Sequence, residues 1–245
     1  SLDNYTSTAA DYDDEWDDLY ADGLAQAGLA EQGAVESGDV VLEGVAQIIQ
    51  GLLLGEAAAL WGDVPASEAL DFANFPDPKY DSQASVLALA QTMLSNGITN
   101  AGSAPVTAYG TPVYGATSAN WGEVAHTLKA RYYLVAKDYA NALSEANLGI
   151  SSSAGDLVSS HSNTIGARNL YFQFIVDERG GYLTAGGSHM KNLIDGTTAR
   201  LLATPGDAER AAVYFDGVEM NTNTGGIFAV DAAFPIVSYM ETLFI

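Results

Sequence analysis

Cysteine is absent from all 245 residues, which excludes disulfides, thiolate metal sites and cysteine nucleophiles together. The compartment stays open, because a secreted protein without disulfides is ordinary. Basic residues are also scarce: nine Lys and Arg stand against 31 Asp and Glu, for a formal net charge of -22. Such a surface repels nucleic acid and anionic lipid, both of which are bound through basic patches. The longest apolar region, VLEGVAQIIQGLLLGEAAALWG, is interrupted by Glu43, Gln47, Gln50 and Glu56. It falls short of the roughly 20 uninterrupted apolar residues of a membrane span, so the chain reads as soluble. The opening SLDNYTSTAADYDDEWDD has neither the basic start nor the short apolar core of a secretory signal. Any export signal is expected to lie outside this sequence.

The signatures of several chemistries are missing too. The three histidines, His126, His161 and His189, are scattered, and none has a partner at i, i+4. There is no phosphate-cradling glycine loop ending in lysine, no G-x-S-x-G elbow and no EF-hand spacing. No metal and no cofactor is expected. Glycoside hydrolysis needs only two suitably spaced acids, but Asp14, Asp18 and Asp22 read as a solvated acidic helix face with nothing apolar nearby to raise one pKa. The acids are spread along the whole chain, a pattern that fits solubility at high salt better than a dedicated site for a cation.

What is present points to helices. Apolar residues make up 48% of the chain, enough for one large domain or two small ones with a buried core. From Asp13 to about Gly28, Trp16, Leu19, Tyr20 and Leu24 fall at helical spacing behind an acidic first turn. Residues 39 to 60 give the clearest helix, with Val41, Val45, Ile48, Ile49, Leu52, Leu53 and Leu60 on one stripe. Gly44, Gly51, Gly55 and Ala59 form a second stripe. Each glycine costs about 1 kcal/mol against alanine, so a close helix-helix approach is the expected compensation. A helix over Ser82 to Asn96 is expected to stop at Gly97, and a Gly/Pro/Ser/Thr-rich loop to follow as far as Asn120.

NWGEVAHTLKARYYLVAKDYANALSEANLGI reads as a helical hairpin. Trp121, Val124, Leu128, Arg131 and Val135 mark its first helix, Lys137 and Asp138 the turn, and Tyr139, Ala142, Leu143 and Ala146 the second. These offsets are those of a tetratricopeptide-type unit, in which small residues let paired helices approach closely. Residues 151 to 187 read as loop with a short strand at Leu170 to Val176, followed by short helices at 187 to 195 and 207 to 215. NLYFQ and GSHM resemble expression-tag remnants but sit in a continuous native pattern. The last stretch, AAFPIVSYMETLFI, opens a helix that has barely begun when the sequence stops. The fold class expected is mainly α, with tetratricopeptide-like hairpins, long irregular loops and little β. Trp61 to Pro65 is read as a helix stop: Gly62 permits the turn, Asp63 accepts backbone N–H bonds, and Glu68 lies on a short helix beyond.

Aromatic residues in loops are the remaining resource for binding. Tyr and Trp faces stack on sugar rings while nearby Asn and Asp take the hydroxyls. Phe75, Tyr80, Tyr109, Tyr114 and Tyr182 occupy expected loops, where binding residues collect. They are the candidate ligand-binding residues; no catalytic residue is proposed.

Several marks then line up in order. LWGDVPASEA, PKYDSQ, YGATSANWGEVAHTLKARYYL with its KDYANAL partner, GDAERAAVYF and FPIVSYMET together resemble the SusD/RagB family of outer-membrane nutrient-binding lipoproteins. The aromatic-Gly-Asp-Val/Ile-Pro turn is matched by Trp61, Gly62, Asp63, Val64 and Pro65. The tryptophan-led helix is matched by Trp121, Leu128, Lys129 and Arg131, and the late Pro-x-x-x-Tyr-x-Glu by Pro235, Tyr239 and Glu241. Asp207, Ala208, Glu209 and Arg210 replace the usual Asp-Pro-Arg, and the alanine-rich helices expected after Glu241 and the N-terminal lipidated cysteine are absent. The resemblance implies one helical domain over residues 1–245, lacking a C-terminal part and the lipoprotein signal. It further implies no catalysis, lipid anchoring at the outer-membrane surface, and capture of oligosaccharide or another nutrient oligomer for a SusC-like TonB-dependent transporter. A tetratricopeptide-type adaptor that binds peptide around Lys129 and Arg131 is the alternative; a helical glycosidase is a third reading, with no distinguished acid pair to carry it.

Overall fold

The computed structural model describes residues 12–108, 118–194 and 204–245. These fall into two compact units, one drawn from 12–108, 118–157 and 237–245, the other from 158–194 and 204–236. The protein is mainly α-helical, with little sheet.

The first unit begins with α1 (Asp13–Asp17), which passes through a π-helical stretch, Asp18–Leu24, into α2 (Ala25–Ser37). The expected end near Gly28 is overrun, because Gly28 and Gly33 only weaken a helix and do not stop one. The stop is Gly38 at φ +73°, whose N–H bonds back to the Ala34 carbonyl, a left-handed cap that favours glycine. Asp39 then opens α3 (Val40–Trp61) by accepting the Leu42 N–H at 3.0 Å. α4 (Gln83–Ala101) is capped by Ser82, and α5 (Trp121–Val135) by a reciprocal Asn120/Glu123 box. Asp138 caps α6 (Tyr139–Ala146), and the α5/α6 turn passes through Lys137 at φ +62°. The hairpin is therefore where its apolar spacing places it.

By length and hydropathy alone, the 22 residues of α3 could cross a membrane. Here α3 is the central core helix, packed by α2, α4 and α5. Its glycines explain how closely. A Cβ at Gly44 would stand 2.6 Å from the Ala101 Cβ, and one at Gly51 2.7 Å from the Leu94 Cγ, while one at Gly55 would enter the Tyr132 ring. The approach is mutual, since Gly97 of α4 lies against Ile48 and the Gly44 carbonyl. For that reason Gly97 does not end α4, which runs on to Ala101. The larger residues of α3 are less deep than expected: Leu52 and Leu53 are half-buried, and Leu60 is 65% exposed. The small-residue face is the one drawn against the neighbouring helices. Ile48, Leu94, Trp121, Leu128 and Tyr132 fill the space between.

The last helix, α10 (Tyr239–Phe244), closes this unit. Its Ser238/Glu241 capping box leaves the Glu241 carboxylate facing Arg131, whose Nε and Nη2 donate to it at 2.7 and 2.9 Å. Arg131 Nη1 reaches Glu56 Oε1 of α3 at 2.7 Å. One guanidinium thus ties α3, α5 and α10 in a bidentate geometry that lysine cannot supply.

In the second unit, α7 (Leu170–Phe172) runs into a π-helical stretch, Gln173–Glu178, so the strand expected at Leu170 to Val176 is helical. α8 (His189–Ile194) and α9 (Asp207–Tyr214) follow, near the expected 187 to 195 and 207 to 215. β2 (Phe215–Asp216) and β3 (Glu219–Met220) pair antiparallel, with Phe215 opposite Met220, around Gly217 at φ +60°. β1 (Leu157–Ser159) pairs with β4 (Phe234–Val237), the strands at which the chain enters and leaves this unit.

Candidate functional site

Asn169 organises a cavity of the second unit. Fully buried, it accepts the N–H groups of Tyr171 and Phe172 at 2.9 and 3.2 Å, so its side chain is the cap that makes LYF helical. Its amide donates to the Ala232 carbonyl at 2.9 Å, and its own N–H to that of Val230. A run rich in β-formers is thereby held as a helix across the segment leading into β4. Tyr171 is fixed between Phe228 and Phe234, both at centroid separations of 5.4 Å.

The resulting cleft has a volume of about 450 Å³ and is lined by Ser159, His161, Asn169, Leu170, Tyr171, Phe174, Leu183 and Phe234. This size is within the range of small-ligand sites. Its walls are aromatic and aliphatic, and its polar edge is narrow. Ser159 Oγ lies 2.9 Å from His161 Nε2, and Asn169 is consumed by its own bonds. A second cavity, bordered by Ser160, Ser162, Gly166 and Arg168, shares Ser159, His161 and Leu170 with the first, so the cleft continues past its polar edge. Arg168 stands there against Asp177 and over the Phe172 ring, 5.8 Å from its centroid. Among the described residues, no carboxylate orients His161 as a triad would require, and no group of three His, Asp or Glu could hold a metal ion.

The sequence-based candidates lie as follows. Phe75 and Tyr80 share the exposed loop between α3 and α4, Tyr80 being 67% exposed. Tyr182, 78% exposed, is in the second unit beneath the Arg179 guanidinium, next in sequence to the cleft residue Leu183. Tyr109 and Tyr114 lie outside the described residues. The cleft aromatics were not among the candidates because Leu170 to Val176 reads as a short strand and not as a loop; the signal available was the density of rings in YFQF and at Phe234.

The other singled-out residues have structural work. Asp63 accepts the Gln83 N–H at 2.8 Å, at the first residue of α4. Glu68 is in a turn rather than a helix, clamping Lys79 through both backbone N–H and Nζ, at 3.0 and 2.9 Å. The backbone bond chiefly, with the side-chain bond, holds the Glu68 carboxyl below its ordinary pKa. Asp14, Asp18 and Asp22 are exposed, as a solvated face should be. Lys129 and Arg131, on which a peptide groove would depend, are engaged internally. Lys129 Nζ meets Glu145 Oε1 at 2.8 Å, and His126 Nδ1 lies 2.6 Å from the other oxygen.

The first unit is thus a scaffold of close-packed helices, and the second, loop-rich unit carries a ring-lined cleft. Residues 1–165 match the SusD-like family described as starch-binding, associating with the outer membrane, and the chain belongs to that family. No curated protein matches the chain. Among solved structures, it is similar to a SusD/RagB family protein from Bacteroides thetaiotaomicron VPI-5482, at 20% identity and TM-score 0.66, over 99% of this chain and 56% of that one. A SusD-like protein from the same organism is similar at 18% identity and TM-score 0.67, over 98% and 54%. A chitin-binding protein is similar at 20% identity and TM-score 0.58, over 97% and 58%. The chain spans a little over half the length of these structures, which share its fold.

Proposed function

We propose that the chain binds an oligosaccharide, or another nutrient oligomer, at the cell surface and delivers it, without catalysis, to a SusC-like TonB-dependent transporter in the outer membrane. The family match over residues 1–165 carries this reading, and a relative whose name is chitin-binding protein supports a glycan as ligand. Anchoring of the whole protein by a lipid belongs to the same proposal. The ligand surface is the cleft of Tyr171, Phe174 and Phe234, where rings can face a sugar's C–H surfaces. Phe75, Tyr80 and Tyr182 are exposed stacking faces that can extend contact along an oligomer. Tyr109 and Tyr114 retain their place as candidates from sequence.

A glycan array followed by assay for new reducing ends tests both halves of the reading. Retention of one oligosaccharide class without cleavage is expected; release of reducing sugar would make the protein a hydrolase. The transporter is tested by co-expression with a SusC-like TonB-dependent transporter from the same genome, where co-elution is expected and consistent separation on sizing contradicts the partnership.

A further inference from the structure

We propose that the cleft and the cavity that continues it form one amphipathic groove, which takes a sugar chain bearing an apolar substituent, aromatic or short-chain aliphatic, and seats that substituent among the rings. This rests on the glycan-binding reading above and adds what the sugar carries. The two halves of the groove differ in which polar atoms are free to bond. In the ring-lined half, Ser159 Oγ lies 2.9 Å from His161 Nε2 and donates to the Phe234 carbonyl at 3.4 Å. Asn169 commits its oxygen to the Tyr171 and Phe172 N–H groups and its amide to the Ala232 carbonyl. Among the described residues, only the Tyr171 hydroxyl and His161 Nδ1 are side-chain polar atoms of this half without a hydrogen bond. Leu170, Phe174, Leu183 and Phe234 offer apolar surface alone, yet Leu170 is 71% exposed and Phe174 43%. An apolar group that covers them is favoured by leaving water, whereas a sugar hydroxyl pressed against them loses water and finds no partner.

The other half, of about 560 Å³, has the opposite character. The Ser160 hydroxyl makes no hydrogen bond among the described residues, and Ser162 Oγ accepts the Thr164 N–H at 3.3 Å while keeping its own O–H to give. Arg168 holds Asp177 through Nη1 and sets Nε 3.5 Å from the Asn163 carbonyl, which leaves Nη2 without a partner among the described residues. These are donors to which sugar oxygens can bond. Ser159, His161 and Leu170 line both halves, so one ligand can lie in both at once. Selection arises because the ring-lined half disfavours hydroxyls and favours an apolar group, while the serine and arginine half holds the sugar that carries it. No covalent step is involved.

The test is calorimetric titration with the methyl, butyl and phenyl glycosides of maltotriose and of cellotriose, and with benzyl alcohol as an apolar probe without sugar. For the better-held sugar, the butyl or the phenyl glycoside is expected to bind about tenfold or more tightly than the methyl glycoside, and whichever is tighter tells an aliphatic from an aromatic substituent. Phe174→Ala and, separately, Leu170→Ser should reduce that preference to about twofold or less, whereas Ser160→Ala combined with Ser162→Ala should weaken all glycosides of that sugar about threefold and leave the preference in place. Tyr139→Ala on the first unit should change neither. Circular dichroism melts establish that each variant is folded. Equal binding of the methyl, butyl and phenyl glycosides overturns the inference and leaves the glycan reading standing. A preference that survives both Phe174→Ala and Leu170→Ser overturns the assignment to this groove. Binding of benzyl alcohol with no binding of any glycoside overturns the inference and the glycan reading together.

Discussion

Two of the few cations of this acidic molecule, Lys129 and Arg131, join different helices. Arg131 holds Glu56 and Glu241, whose charges and hydrogen bonds outweigh the effect of burial and push its pKa up. Glu241→Gln removes half of that bridge and weakens the box at Ser238. The expected cost is about 2 kcal/mol in urea denaturation, at the lower side of a buried pair because the bridge is partly solvated; no change in the midpoint would show that α10 is held by apolar packing alone. Glu145 permits a pH test. Burial would raise its pKa, but hydrogen bonds from Lys129 and His126 outweigh this and hold it below the ordinary carboxylate value. A carboxyl depressed in the folded state adds stability that is present above the unfolded value of about 4.3 and is lost as pH falls through its lower folded value. In about 1 M salt, where general repulsion is screened, Glu145→Gln should therefore flatten the acid-side loss of stability below about pH 4. An acid limb as steep as that of the parent would contradict the assignment.

At the scale of elements, glycines separate into those that hold helices together and those that merely weaken one. Gly55→Ala drives a methyl into the Tyr132 ring and should cost about 2 kcal/mol in spite of the helix propensity gained. Gly28→Ala meets nothing within 4 Å and should gain about 0.5 to 1 kcal/mol. Matching thermal shifts for the two would remove the close-approach account of α3. Both the glycine stripe and the Trp121 to Ala146 hairpin were legible in the sequence, because their cause is local: apolar spacing, caps at Asn120 and Asp138, and small residues at helical offsets. Leu170 to Val176 was not legible. Its β-formers are overruled by Asn169, whose cap is fixed by Ala232, 63 residues further along. Gly97 misled for a related reason, since a glycine that ends a helix and one that admits a neighbour read alike until Ile48 is placed. The cleft escaped because its lining comes from Ser159 and His161, from Asn169 to Phe174, from Leu183 and from Phe234, four stretches without a shared period.

For the molecule as a whole, the charge of -22 bears on stability and the proposed ligand cleft on function. Acids with so few cations repel one another, so the melting temperature should rise as sodium chloride is raised from about 0.05 to about 1 M; a flat response would show that repulsion does not limit stability. The family was legible because its ordered motifs are scaffold: the Trp61 to Pro65 turn, Arg131, and Glu241 with its cap. Such residues say little about which ligand is held, and the ligand surface is the part of the account most exposed to test. Calorimetric titration of the oligosaccharide retained on the array, into the parent protein and into Phe174→Ala, addresses it directly, with the ligand recovered afterwards for a count of reducing ends. Saturable binding by the parent, at least fivefold weaker in the variant and with the ligand recovered intact, is the predicted result; equal binding by both proteins, or a cleaved ligand, would contradict it.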